Sequence, residues 1–468
     1  MKRLLSIALC LLSGCTVGPD YTRPPITQSA HWRNATDAAV SDAPWWTVFG
    51  DSKLDALEAE AMQDNLELAQ AMSRVEQAMA AARVVASGSR PTLAFEGSLD
   101  RSQQSLNSRE GVLASALPGY ERTTTQATVG LSAAWDLDFA GAIRRQRESA
   151  LARLDATRAA KEAVRIAVSA EVADAYFTAG ALQLQQDAGS RNVALMEEQV
   201  ALLQQRLSTG DSSRAELDAA ESYLHQARAG LPALSAGIEA QHNRLALLLG
   251  RDPSSANLPA ISPQAFAVAV DPAAGIPSDI LRKRPDVRAA EMVLVGANAS
   301  IGATLAEFYP QLSLGLFGGQ QTIPPGDLMS SESGLLQAGL GLRWRLFDFG
   351  RLDAQLLAAR GKEKEALIAY RLAVLQATAD VESSFARLKA MREGLRQREL
   401  ESASVAALLK ASSTAFDAGA INRSDLLQIE RQVAGSSADL ASARMEMARS
   451  VISCARALGG PMPKQSLQ

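Results

Sequence analysis

What the chain has little of narrows the field first. Cysteine occurs only at positions 10, 15 and 454. Cys10 lies in a leading apolar segment that secretion would remove, so the mature chain keeps no pair free for a disulfide, although an extracytoplasmic compartment would permit one. Cys454 sits in an alanine-rich helical stretch and reads as a small buried hydrophobe. Histidine is as scarce. His31, His225 and His242 stand apart, none at ligand spacing with a thiol or carboxylate, and no nucleophile elbow, phosphate loop or metal motif occurs. No catalytic residue, cofactor or metal is therefore expected. Surplus positive charge is missing too: a net charge of −4 argues against a nucleic-acid partner, which calls for a basic patch or stripe. After Cys15 there is no run of about 18 apolar residues, so no membrane helix is expected. If this chain crosses a bilayer, strands must do it. Aromatics are held to 5% while Ala, Leu, Gln, Glu and Arg dominate, a mix that suits long helices better than a sandwich or doubly wound sheet.

Proline is absent where it matters. None falls between Pro118 and Pro232 or between Pro325 and Pro461. The spacing predicts long helices over 142–208 and 351–418, each roughly 100 Å in length at about 1.5 Å per residue. Such helices need partners along their whole length. The two tracts also match one another. An ungapped offset of 209 residues sets Trp135 over Trp344, Gly141 over Gly350, Val172 over Val381, Gly210 over Gly419, Leu217 over Leu426 and Leu249-Gly250 over Leu458-Gly459. A duplicated unit follows, each half reading strand, strand, long helix, turn, helix.

What is present at the N-terminus is equally legible. Lys2 and Arg3 precede a short apolar core, Leu4 to Leu12, and Leu12-Ser13-Gly14-Cys15 completes a lipobox-like end. The core is too short to span a bilayer and suits a secretory signal. Cys15 is the expected lipidation site; in the lipoprotein pattern that this end resembles, Asp at the next position often holds a protein at the inner membrane, so Thr16 permits transport to the outer membrane.

Each half carries two alternating segments. Leu93, Phe95 and Leu99 oppose Glu96 and Asp100; Leu312, Leu314 and Leu316 repeat the pattern after Pro310; Val129, Leu131, Trp135 and Leu137, then Leu340, Leu342, Trp344 and Leu346, give the second pair. Period-2 alternation over about ten residues with a Trp near one end is what a transmembrane barrel strand needs. Strands are expected at 90–101, 126–138, 309–319 and 336–348. Four strands cannot close a barrel, and an open edge is not tolerated in lipid, so several chains are required. Three chains giving twelve strands is the smallest number that leaves a water-filled lumen. Loops 102–127 and 320–334 would then face outside, and Gly141 and Gly350 would turn strand into helix with φ > 0.

The segment Ile276-Pro277-Ser278-Asp279-Ile280-Leu281-Arg282-Lys283-Arg284-Pro285-Asp286-Val287-Arg288-Ala289-Ala290-Glu291 resembles the signature of the outer-membrane factor family, the TolC-like efflux channels, and most closely their lipid-anchored NodT/OprM-type branch. Val17-Gly18-Pro19-Asp20-Tyr21, Trp45-Trp46-Thr47-Val48-Phe49-Gly50-Asp51, Ala297-Asn298-Ala299-Ser300-Ile301-Gly302 and Phe308-Tyr309-Pro310-Gln311-Leu312-Ser313-Leu314 continue the likeness. Physically, Pro285 suits a first helical turn and Asp286 its dipole, a structural role rather than a binding one. The resemblance implies an α+β membrane protein: a homotrimer whose outer-membrane β-barrel, four strands per protomer and twelve per trimer, is continuous with a long periplasmic α-helical barrel. It implies three lipid anchors in outer-membrane lipid, a periplasmic membrane-fusion adaptor, and an inner-membrane pump of the RND type. The chain then divides into a signal peptide (1–14), an anchor or equatorial segment (15–52), a first repeat (53–251), a linking segment (252–284), a second repeat (285–460) and a tail (461–468). Each repeat opens with a helix, the second over 285–307, and the returning helices run about 212–250 and 422–459.

The helix–helix turns are the expected inner end. Gly210 and Gly419 fit C-terminal caps, Ser213 and Asn422 fit N-caps, and Glu216 and Asp425 fall in the first turns, where the dipole favours carboxylates. Capping alone accounts for both acids. The resemblance adds an entrance role to Glu216, Asp425, Ser424 and Gln428, and adaptor contact to Gly210, Arg214, Gly419 and Arg423. Around a threefold axis the acids would repel, raise one another's pKa and attract cations. The sequence departs from the family in carrying Gln428 for a second acid, and Ile421 and Phe416 for latch residues. The function implied is an efflux exit duct conducting small toxic molecules. A structural coiled-coil envelope lipoprotein stays open as the alternative, and it leaves the four alternating segments unexplained.

Overall fold

The computed structural model describes residues 16–26, 31–34, 36–37, 44–254 and 273–460. The signal peptide, Cys15, much of the linking segment and the tail lie outside them. In the first half, α1 (Ser52–Asp64) and α2 (Leu66–Ser87) lead to β1 (Thr92–Gln103), α3 (Arg109–Ser115), β2 (Thr123–Leu137), α4 (Ala142–Thr209) and α5 (Arg214–Leu248). In the second, α6 (Pro277–Lys283) and α7 (Pro285–Ala306) lead to β3 (Gln311–Thr322), β4 (Gly334–Arg343), α8 (Arg351–Asp417) and α9 (Arg423–Leu458). The residues group into two units. One holds positions 1–24, 76–157 and 290–369 and carries the sheet; the other holds the remainder and carries the helical hairpins.

In the sheet unit the strands are antiparallel in the order β1-β2-β3-β4, so the two halves join through β2 and β3. The fourth strand ends at Arg343, short of the expected 348. Register explains why. Gln311 faces Arg343, which puts Pro310, with no N–H to give, opposite Trp344. Pro91 stands in the same relation to Trp135, yet β2 runs on to Leu137 because β3 supports its other side, down to the Leu137–Leu312 pair. Each indole instead pegs the turn before the neighbouring strand: Trp135 Nε1 donates to the Ser89 carbonyl at 3.1 Å and Trp344 Nε1 to that of Phe308 at 3.0 Å. The first outer loop also holds a short helix, α3, that the sequence did not announce.

Helix ends follow local chemistry. Gly210, Gly250, Gly419 and Gly459 all take positive φ. At the first, the Asp211 N–H reaches back to the Arg206 carbonyl at 2.8 Å and that of Gly210 to Leu207 at 3.2 Å, a Schellman ending that satisfies orphan carbonyls. Ala420 to Ala415 and Gly419 to Phe416 repeat it at 2.8 and 2.9 Å. Met196, Val200 and Leu203 of α4 pack on Leu217 and Leu224 of α5.

α7 is long and apolar enough to cross a membrane by length and composition, although polar residues interrupt its apolar run. It is a core helix: Val287, Leu294, Ala299, Ile301 and Ala306 are buried, and Glu291 accepts from Tyr21 Oη and Arg23 Nε.

The family-like signature has a packing role. Arg284, between α6 and α7, donates to the Ala457 carbonyl at 2.6 Å and the Ala377 carbonyl at 3.3 Å, and to Asp286 and Asp380. In the first half Asn65, between α1 and α2, donates to the Leu248 carbonyl at 2.8 Å. Leu248 and Ala457 are equivalent under the 209-residue offset, so one residue in each half closes the end of the returning helix.

Candidate channel wall and entrance

The wall follows from side-chain alternation and register together. Leu93, Phe95 and Leu99 share a face with Ala127, Val129, Leu131, Ala133 and Trp135. The same face continues through Leu312, Leu314 and Leu316 to Leu336, Ala338, Leu340 and Leu342. Leu93, Phe95, Leu340 and Leu342 are largely exposed in the single chain. Along β1 this band covers about 20 Å at about 3.3 Å per residue, near the apolar height of an outer-membrane barrel. The opposite face carries Glu96, Ser98, Asp100, Gln126, Thr128, Ser132, Gln321 and Gln337, and Glu96 accepts a hydrogen bond from Ser132 Oγ there. Phe317 is the aromatic exception. Its ring lies across Gly130 and Gly319, where an added Cβ would meet it at 2.7 and 3.0 Å. One face thus suits lipid and the other water.

The far end of this unit holds the strand-to-helix elbow. Gly141 takes φ 81° and Gly350 φ 82°. Thr16 packs on Gly141 so closely that a Cβ there would lie 2.9 Å from the Thr16 backbone. The Val17 N–H donates to the Ala140 carbonyl at 3.2 Å, and Arg145, buried, binds the Val17 and Gly18 carbonyls and Asp20. The residue after Cys15 is therefore fastened at the end of the sheet opposite the loops.

In the helical unit the two hairpin turns are built alike. Ser213 Oγ accepts from the Glu216 N–H at 3.1 Å while the Glu216 carboxylate accepts from the Ser213 N–H at 3.1 Å and from Ser212 Oγ at 2.5 Å. Asn422 and Asp425 exchange the corresponding bonds at 3.0 and 3.4 Å. Both acids thus sit in capping boxes. The Ser212 hydroxyl, then the Ser213 amide, hold Glu216 below the usual carboxylate range. Within one chain the cap governs it.

The structure brings Glu216, Ser424, Asp425 and Gln428 together with Arg206 and Arg431 along one open groove of about 1260 Å³. Gly210, Arg214 and Gly419 are exposed at the turns, where Arg214 pairs with Asp218 at 2.9 Å. Phe416 and Ile421 are half-buried at the second turn. Arg423 is engaged within the chain. Its guanidinium grips Glu198 of α4 with two bonds, 2.6 and 2.8 Å, and reaches Glu430 at 3.2 Å. Its hydrogen bond, chiefly, holds Glu198 below the ordinary range. Reading the sequence missed this tie between the two hairpins, since the partners are 225 positions apart.

A sheet apolar on one face and polar on the other, with helices of 68 and 67 residues following its strands, defines an outer-membrane channel subunit. The comparisons make the class specific. The chain belongs to the outer membrane efflux protein family, whose model matches residues 57–251 and 276–460. It is 32% identical over 467 residues to the pyoverdine export outer membrane protein OpmQ of Pseudomonas putida, covering 98% of this chain and 96% of that one. Its fold matches the solved outer-membrane channel OprN with a TM-score of 0.84 at 28% identity, over 95% of this chain and 99% of that one. It matches the open MtrE outer membrane channel of Neisseria gonorrhoeae with a TM-score of 0.82 at 26% identity, over 95% and 98%. The chain is an outer-membrane efflux channel and not an enzyme.

Proposed function

We propose that three copies close one barrel, whose lumen passively conducts small toxic molecules delivered by a periplasmic adaptor and an inner-membrane pump of the RND type. The observation that carries this reading is the sheet: one face is largely apolar and the other largely polar, yet among the described residues each outer strand is paired on one side only. An unpaired edge in hydrocarbon costs several kcal/mol per orphan group, and strands from another copy remove that cost. Cys15 is the lipid attachment site on this reading, supported by the docking of Thr16 and Val17 at the elbow.

Glu216 and Asp425, with Ser424 and Gln428, form the cation-favouring entrance, and the turns around Gly210, Arg214, Gly419 and Arg423 meet the adaptor. The groove shared by Glu216, Ser424, Asp425 and Gln428, and the twin capping boxes, support the entrance; the exposure of Gly210, Arg214 and Gly419 at the turns supports the adaptor contact. Purified protein in planar bilayers tests it. The parent should give stable, cation-preferring channels. Glu216→Gln combined with Asp425→Asn, which keeps side-chain hydrogen bonding at the caps, should lower cation preference several-fold. Channels with unchanged selectivity would remove these acids from the entrance, and absence of any channel would remove the duct.

A further inference from the structure

The outer loops present apolar side chains where a protein facing water has little reason to. Register puts Gln103 beside Thr123, Thr322 beside Ala127, and Gly334 beside Gln320, so loops 104–122 and 323–333 rise from the same end of the sheet. The first is a shaped loop. The Gln104 N–H donates to the Arg122 carbonyl at 2.9 Å and Arg122 Nε returns a bond at 3.1 Å. Ser108 caps α3 by accepting from the Gly111 N–H at 3.1 Å, and Gly111 lies so close to the Ser105 carbonyl that any Cβ would overlap it. This frame holds Val112, Leu113 and Leu117 outward, at 58%, 68% and 65% exposure. The second loop is tied by Ser333 Oγ donating to the Asp327 carbonyl at 2.7 Å. It presents Ile323 at 55% and Met329 at 86% exposure.

Topology says what meets these side chains. The first loop grows from β1 and the second leads into β4, the two edges of the sheet. On the trimeric reading proposed above, on which this inference rests, β4 of one copy pairs with β1 of the next. The same closure brings loop 323–333 of one copy beside loop 104–122 of its neighbour. We propose that these loops form an intersubunit apolar clasp, with Met329 and Ile323 of one copy seated against Leu113 and Leu117 on and just after α3 of the next. The occupant of each exposed patch is thus a second copy of this chain. A thioether is well suited to the task, because its flexible chain fits an irregular leucine surface. Three such clasps would lock the barrel seam above the lipid, where burying apolar area is favoured by water.

Paired cysteines test the clasp. Leu113→Cys with Met329→Cys, in a Cys454→Ser background, is treated in membranes with a short bis-maleimide and resolved on denaturing gels after boiling. The expected result is a ladder of linked dimers and trimers from the double variant and single chains from either variant alone. Light scattering of the unboiled protein in detergent reports oligomeric state independently. A trimer whose double variant does not link, or whose Leu113→Cys variant links as well by itself, overturns the clasp while leaving the channel reading intact. A chain that is not trimeric overturns both. As a second measurement, Leu117→Ser with Met329→Ser should lower the temperature at which the trimer dissociates in detergent by several degrees, whereas Val84→Ser, exposed on α2 away from these loops, should leave it in place.

Discussion

At the scale of single residues, the carboxyl of Glu58 stands out because it is buried. It is fully enclosed on α1, and Ser169 against it already accepts from Trp45 Nε1 at 2.9 Å. Burial pushes Glu58 up to about 9, helped by Asp55 and opposed by Ser169. An unfolded glutamate titrates near 4.5, so between that pH and about 9 the folded protein holds a proton that the unfolded chain releases. Stability carried by this group is therefore complete below pH 4.5 and is lost as pH rises toward 9, by up to about 1.4 kcal/mol per pH unit within the window. Glu58→Gln should raise the thermal midpoint of the detergent-solubilised protein at pH 8 by several degrees and change it little at pH 5. An equal effect at both pH values would show that Glu58 is ionised in the folded state. Glu216 at the first turn behaves oppositely, because the Ser212 hydroxyl and the Ser213 amide favour its charged form.

At the scale of elements, the ends of helices explain more than their middles. Both long helices stop because a glycine takes the left-handed conformation, and each returning helix starts on a capping box. Those features were legible in Gly210, Ser213, Gly419 and Asn422 because caps are local. The closure of α5 by Asn65 and of α9 by Arg284 was not. Arg284 looked like one member of a charged run, and only folding takes its side chain, nearly buried, to the Ala457 carbonyl and to Asp380. Removing it leaves a helix-end carbonyl unpaired inside the protein, so Arg284→Ala should destabilise by about 3 kcal/mol. Asn65→Ala, which loses neutral bonds only, should cost about 1–2 kcal/mol. Thermal dissociation of the trimer orders the two, and equal small effects would argue that water replaces both. The strand that ends early teaches the same lesson. Trp344 and Leu346 alternate like a strand, but Pro310 across the register gives the chain nothing to pair with.

At the scale of the whole molecule, duplication and amphipathic pattern converge on a subunit that is incomplete alone. Leucines exposed on the sheet are reasonable only against lipid, and open edges only against further strands. The lipid attachment proposed at Cys15 is tested at this scale as well. Replacing Cys15 with Ser should abolish incorporation of radiolabelled palmitate while leaving channel conductance intact, since no part of the conducting wall depends on the acyl chain. Retained label would show that another residue carries the lipid.

The sequence by itself determined the long helices, the alternating strands, the glycine elbows and turns, the duplication and the family. Each rests on period, spacing or motif: chain neighbours suffice for all but the duplication, which a fixed offset of 209 residues reveals without any knowledge of the fold. Tertiary structure alone decided that β2 joins β3, that the apolar sides of four strands fall on one face, and that Thr16 docks on Gly141. It alone tied the two hairpins through Arg423 and Glu198. The reason is distance along the chain. A surface arginine can pair with any acid within reach, and its own sequence surroundings carry no mark of a partner 225 residues away.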